Sequence, residues 1–352
     1  MTPNISLAPW ARCLPLVGLL LAGCATFEPQ TGRESVRQSI QQKTGLAMEP
    51  ASPSARAESA TALSADDAVR IALNNSPGVA ALMAELDGAE AQAVQGSLLR
   101  NPFLHVGYLY PREGHGKAID AGLSWDLLGL ISLGPRREAA EHARGAARLN
   151  AVAGILELAA RSRAAWYAHL ADREGAELLA DQAEAADLNA ELARRLEQAG
   201  NLPPLAAAGA QASRLDARYA LEDATLAARS SLEQLARQLG VGDPGQIKLP
   251  ERLPRLPAGD PEIPNPAALD AADLRLAGLR ADLERARRQV EAIKRTTWTD
   301  GLELGWSWDR EAEGEWKDGP SLGLALPFFD TGVARRATIR SEVAQLEARI
   351  AE

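Results

Sequence analysis

The sequence predicts a mainly α-helical chain with a small antiparallel β part: a long coiled-coil hairpin plus four membrane strands. Three observations point there. A pattern of helix, two alternating strands and a basic helix start is written twice. It runs through Asn101–Asp126 into Arg136–Arg137, and again through Thr299–Phe328 into Arg335–Arg336. Gly107 and Gly305 stand 198 residues apart, and Leu123/Leu322 and the two arginine pairs 199 apart, a constancy that marks internal duplication. The composition is 46% hydrophobic but only 4% aromatic, and its wealth of Ala, Leu, Arg and Glu suits long helices.

Taken in order, the chain opens on Arg12 and an apolar run, Leu14–Ala22, that ends in small residues. A bilayer span needs about 20 apolar residues, so this run reads as a secretory signal over residues 1–23. Residues 25–62, rich in Ser, Gln, Pro and Thr, read as an extended, flexible tether that packs no core. Ser64 then supplies a helix N-cap with Asp66 and Asp67 in the first turn. This begins a first repeat over 63–248. Its helix shows Val69, Leu73, Val79, Leu82, Leu86 and Val94, broken at Ser76-Pro77 and stopped before Asn101-Pro102.

Strands are expected at about 103–110 and 118–126, then one helix over 136–199. In that helix Leu149, Val152, Leu156, Ala159, Arg163, Trp166 and Leu170 fall at alternating steps of three and four, a coiled-coil seam. Gly200–Pro204 breaks it, with Gly at the end of one helix and Pro at the start of the next. A return helix spans 204–240. The segment 249–266 holds six prolines and reads as a linker. A second, incomplete repeat follows over 267–352, with strands at about 301–309 and 321–328.

The strands alternate at period two. Leu104, Val106, Tyr108 and Tyr110 share a face, as do Ile119, Ala121, Leu123 and Trp125, with Asp120, Gly122, Ser124 and Asp126 opposite. The second pair repeats this with Leu302, Leu304, Trp306 and Trp308 against Glu303, Gly305, Ser307 and Asp309. Apolar-out, polar-in strands with aromatics near their ends fit an outer-membrane barrel. A half-buried hairpin in a soluble domain alternates in the same way. The barrel is favoured because no other sheet is available to pack on and because the chain begins with an export signal. Four strands cannot close a barrel, so the chain must oligomerise. Pro111–Lys117 and Arg310–Pro320 then become the two extracellular hairpin loops. Asp120, Asp126, Glu303 and Asp309 become pore-facing, and Trp125, Trp306 and Trp308 form a membrane-interface girdle.

Enzyme chemistry is not legible. The net charge of −9 argues against nucleic acid. Cys13 and Cys24 are the only cysteines, so the mature chain keeps one and forms no disulfide. His105, His115, His142 and His169 share no ligand spacing, and no H-E-x-x-H or paired C-x-x-C occurs. Gly114-His115-Gly116-Lys117 fails the phosphate-loop spacing, and there is no G-x-S-x-G elbow. No catalytic residue, metal or cofactor is expected.

Two resemblances add to this reading. Leu21-Ala22-Gly23-Cys24 resembles the bacterial lipobox, which implies a lipidated Cys24; Ala25 after it implies the outer membrane. Five further stretches, in order, resemble the TolC-type outer-membrane efflux proteins: Ala68–Pro77, Leu98–Pro102, Arg194–Leu202, Leu235–Gly240 and Leu324–Asp330. The resemblance covers about residues 63–352. It implies a homotrimer, with four strands per protomer in a shared twelve-stranded barrel and long helices in a periplasmic tunnel.

The implied role is a passive exit duct of a tripartite efflux or type I secretion system. A periplasmic adaptor and an inner-membrane pump would be its partners, and Gly200, Asn201, Leu202, Pro203 and Pro204 would form the tip that meets the adaptor. Glu34–Met48 and Leu253–Pro257 resemble members paired with RND-type pumps. The chain departs from the family at its end. The first repeat continues for 104 residues after Arg136, the second for 16 after Arg336. About 90 residues of the second hairpin are thus expected to be missing, as in a C-terminally truncated chain. The alternative is a periplasmic coiled-coil lipoprotein with structural or adaptor duties, or a non-functional truncated product.

Overall fold

The computed structural model describes residues 29–48, 62–110, 117–126, 129–255, 259, 265, 273–296, 302–311, 314–324 and 331–352. The signal segment, Cys24, the loop residues 111–116 and residues 325–330 lie outside them. The chain divides into two compact units. One takes Arg33–Leu86 and Arg148–Arg275; the other takes Asp87–Ala147 and Leu276–Glu352, with the chain up to Gly32.

Helices dominate. Part of the segment expected to be an extended tether is instead helix α1 (Pro29–Thr44), and Val36 and Ile40 on it are fully buried. Its polar composition hid a short apolar stripe at a four-residue step, which is enough to dock one face of a helix. Helix α2 (Ala65–Asn75) starts as the sequence predicts. Ser64 Oγ accepts the Asp67 N–H at 3.1 Å and Asp67 accepts the Ser64 N–H at 3.2 Å, a reciprocal capping box. The Ser64 hydrogen bond and, to a lesser degree, Arg70 hold the Asp67 carboxyl below the usual range. Helix α3 (Pro77–Ser97) follows after the expected break at Ser76.

The first unit is built on a helical hairpin. Helix α4 (Gly129–Gln198) is 70 residues long, and α5 (Pro204–Leu239) returns beside its second half. The stretch of α4 in this unit is about 75 Å long. Small residues bring the two helices close: Ala183, Ala190 and Ala193 on α4 and Ala207 and Ala217 on α5 are buried. Near the far end of the hairpin from its turn, Ile155, Leu170, Leu235 and Leu239 form fully buried positions. The Trp166 indole donates to the Leu63 carbonyl at 3.0 Å, and the Leu63 N–H donates to Lys248 at 2.8 Å.

His169 is also buried, its Nδ1 3.1 Å from the Ala228 carbonyl of α5. Burial holds it below the ordinary imidazole pKa, which favours the neutral ring. The start of the Pro-rich linker is pinned rather than loose: Arg173 donates to the Pro250 and Glu251 carbonyls, and Glu174 accepts the Leu253 N–H.

The other unit carries the sheet. Strands β1 (Phe103–Leu109), β2 (Ala118–Trp125), β3 (Leu302–Arg310) and β4 (Trp316–Leu324) pair antiparallel in the order β1-β2-β3-β4. Helix α6 (Leu274–Thr296) leads into β3, and α7 (Val333–Ala351) follows β4. Leu283 and Ala286 of α6 pack with Ile339 and Leu346 of α7, and the Arg287–Glu347 pair at 2.9 Å closes the rim. Helix, strand, strand, helix occurs twice, as the duplicated sequence implies.

Two boundaries differ from expectation. Helix α4 begins at Gly129 rather than Arg136, because Asp126 accepts the Gly129 N–H at 2.8 Å and starts the helix early. Pro135 disguised this start, since proline inside a helix usually signals a break. Strand β4 begins at Trp316 rather than 321, so most of the loop expected over Arg310–Pro320 is strand. Pro320 is tolerated because β4 is an edge strand and an edge residue needs no ladder N–H on its open side.

Candidate functional site

The registers resolve the sheet into two faces of opposite chemistry. One face is apolar in successive cross-strand rows: Tyr108, Ile119, Arg310 and Trp316; then Val106, Ala121, Trp308 and Asp318; then Leu104, Leu123, Trp306 and Pro320. Trp125, Leu304 and Leu322 form the next row, and Leu302 with Leu324 the last. Much of this face is exposed: Leu104 is 66% exposed and Leu322 67%, and Val106, Tyr108, Leu123, Leu304, Trp306, Trp308 and Trp316 are exposed as well. From first row to last the face extends about 27 Å along the strands, or about 21 Å in height at a tilt of about 40°.

The other face is mainly polar and rich in glycine. Phe103, Ser124, Gly305 and Ser321 stand in one row, His105, Gly122, Ser307 and Gly319 in the next, and Gly107, Asp120, Asp309 and Lys317 in a third, with Leu109 and Ala118 beyond it. Ser124 donates to Glu303 at 2.8 Å, and His105 Nδ1 lies 2.9 Å from Asp120 Oδ1. Asp120 and Asp309 are direct cross-strand neighbours, flanked by His105 on one side and Lys317 on the other. Like charges opposite one another destabilise a sheet; here Lys317, next to Asp309 in the row, offsets that. Among the described residues both edge strands, β1 and β4, pair with no further strand.

Solved structures share the fold, although no protein-family model and no curated protein matches the sequence. The CusC transmembrane channel is 16% identical with a TM-score of 0.59, covering 81% of this chain and 71% of its own. The outer-membrane protein VceC of Vibrio cholerae is 18% identical at 0.59, covering 81% and 74%. The Campylobacter jejuni CmeC outer-membrane channel is 15% identical at 0.62, covering 85% and 72%. The fold is TolC-like.

On this TolC-like frame, Asp120, Glu303 and Asp309 share the polar face, as the alternation implies. Asp126 is set apart from them. It follows β2, caps α4, lies 3.8 Å from Arg100, and its side chain is 11% exposed. The three tryptophans share the apolar face but not one level. Trp125 lies toward the helices, its indole donating to the Arg100 carbonyl at 3.2 Å, whereas Trp308 lies toward the β1–β2 and β3–β4 connections. Trp306 sits between them and donates to Asp318 at 3.1 Å.

His105 and Lys317, which the sequence reading passed over as site residues, complete the polar rows. The signal was present for His105, since the parity that sends Leu104 and Val106 to one face sends His105 to the other. Lys317 was hidden because β4 was started too late.

The hairpin tip is well defined. Gly200 takes a left-handed φ of +76°, and the Asn201 N–H bonds back to the Leu196 carbonyl at 2.8 Å while the Gly200 N–H reaches Glu197 at 2.9 Å. Only glycine adopts this φ without a steric penalty. Pro203 is extended and Pro204 occupies the first turn of α5, leaving Leu205 86% exposed. Behind the tip, Arg194 and Arg195 both bond Glu191 and lower its pKa to about 2. Farther along, Arg218 and Arg214 of α5 hold Asp187 of α4 below the normal carboxylate range. Among the described residues no helix is long and apolar enough to cross a membrane, and no cluster of His, Cys, Asp or Glu is arranged to hold a metal ion.

Proposed function

We propose that the chain is the outer-membrane channel subunit of a tripartite efflux system, a passive duct without catalytic residues or cofactor. The observation that carries this reading is the sheet: a tall, uncovered apolar face backed by a polar face, with both edges free. Lipid solvates the apolar face, water the polar one. Free edges are not tolerated in hydrocarbon, so copies must pair β4 to β1 until the sheet closes. Three copies give twelve strands, above the minimum of about eight for a bacterial barrel.

In such a barrel Asp120, Glu303 and Asp309 line an acidic pore, with Asp126 at the helical rim. Trp125, Trp306 and Trp308 belong to the aromatic girdle, with Trp308 toward the interface beside the hairpin connections, Trp125 toward the helices and Trp306 between. The α4–α5 hairpin forms part of a periplasmic wall, and its tip, Gly200–Pro204, meets an adaptor that links it to an inner-membrane pump of the RND or another class. A lipid on Cys24 adds a tether to the outer membrane; one acyl chain alone anchors only marginally.

The test is membrane fractionation with a paired substitution. Leu304→Arg places a charge on the apolar face, and Ser307→Arg places the same charge on the polar face. The first should abolish recovery of outer-membrane oligomer, with a cost of about 2–4 kcal/mol near the midplane. The second should leave recovery intact and alter only conductance. Equal recovery for both would remove the barrel from the account. A dye-accumulation assay in cells carrying the cognate pump and adaptor then tests the transport role.

A further inference from the structure

The end of the apolar face away from the helices is bordered by two cations, each placed over an aromatic ring. Lys117 Nζ lies 5.9 Å from the Tyr110 ring centre, and the Arg310 guanidinium 5.9 Å from that of Trp316. Strand alternation puts all four on the apolar side: Lys117 shares parity with Ile119, Tyr110 with Tyr108, and Arg310 pairs directly with Trp316. Neither cation is bound to a carboxylate among the described residues. Lys317, on the polar face, shows the contrast, since Glu311 satisfies it at 2.7 Å. Asp318, the one carboxylate on the apolar side of the described strands, is engaged by the Trp306 indole.

Resting on the membrane-channel reading, we propose that Lys117–Tyr110 and Arg310–Trp316 form a binding site for phosphate-bearing lipid headgroups in the leaflet next to the hairpin connections. Each ring sits at the depth where aromatic side chains anchor in a bilayer, and it holds its cation at the headgroup level. Lysine then offers a point charge and arginine a two-pronged donor to phosphate oxygens. Apart from Asp318, which the Trp306 indole engages, the remaining chemistry of this face is apolar or indole, so an acyl chain can descend along Ile119, Val106 and Leu104 below the bound phosphate. A soluble anion lacks that second contact, which is why the site is assigned to a lipid.

The full-length protein should be mixed with vesicles of phosphatidylcholine alone, or of phosphatidylcholine with phosphatidylglycerol, and the floated fraction measured. Anionic lipid should raise the association constant about fivefold per cation. Lys117→Gln with Arg310→Gln should erase that gain while leaving association with phosphatidylcholine unchanged. Lys117→Arg with Arg310→Lys should keep the gain, as should Lys317→Gln on the polar face. Inorganic phosphate, compared with chloride at equal ionic strength, should not compete. Equal association with both vesicle compositions would overturn this proposal and leave the barrel standing. Competition by inorganic phosphate would overturn the lipid assignment. Failure to float with either vesicle would overturn the membrane reading and this proposal together.

Discussion

At Gly305 a methyl group would come within 2.6 Å of the Leu123 carbonyl oxygen and 2.8 Å of Ser321 Oγ. Its sequence counterpart Gly107 meets nothing closer than 3.7 Å, so the two copies of the duplicated glycine now do different work. Gly305→Ala must push β2 and β3 apart or bend β3. It should destabilise the sheet by about 1–3 kcal/mol, read as a lower denaturant midpoint, whereas Gly107→Ala should leave the midpoint near its original value.

Glu191 makes a second residue-scale prediction, now about pH. Its folded pKa, about 2, lies below the ordinary 4.5 because Arg194 and Arg195 bond the ionised form. The folded state therefore binds the proton less readily than the unfolded one. The contribution to stability is fully present above pH 4.5 and is lost as pH falls toward 2. Because the pair is solvent-exposed the effect is modest and salt-sensitive. Glu191→Gln should flatten the acid limb of hairpin stability between those two values, measured by helix content at fixed denaturant. An unchanged acid limb would mean the two arginines do not hold Glu191 in solution.

At the scale of the element, the strands were the most legible part of the chain, because alternation at period two fixes which side chains share a face once any one is placed. That logic correctly separated Leu304, Trp306 and Trp308 from Glu303 and Asp309. It also supports a depth test: Tyr108→Arg and Leu302→Arg, in the two end rows of the apolar face, should each impair membrane assembly less than Leu123→Arg in the middle row, because the penalty for a cation falls toward the interfaces. Heat-resistant oligomer on a gel gives the ranking. Equal losses at all three positions would contradict the assigned levels.

Boundaries were less legible, for reasons particular to each. Pro135 and Pro320 suggested interruptions that the fold absorbs, one within a helix started by Asp126 and the other on an edge strand. The helix α1 was missed because two buried residues, Val36 and Ile40, were outweighed by polar neighbours. The tip was legible because Gly200, Pro203 and Pro204 have conformational preferences that act locally. The His105–Asp120 contact depends on register between strands, which no local pattern fixes.

For the whole molecule, the described residues hold one four-stranded antiparallel sheet with an exposed apolar face. On the proposed reading, the exposed apolar face and the edges of β1 and β4, free among the described residues, are completed by lipid on one side and by other copies at the ends. A soluble four-stranded sheet with these features would aggregate through both.

The most direct measurement is the mass of the protein part of the complex extracted from outer membranes in mild detergent, by light scattering with detergent correction. The account predicts three copies, recovered from the outer-membrane fraction and lost with Leu304→Arg. A single copy recovered from the soluble periplasmic fraction, indifferent to that substitution, would contradict it.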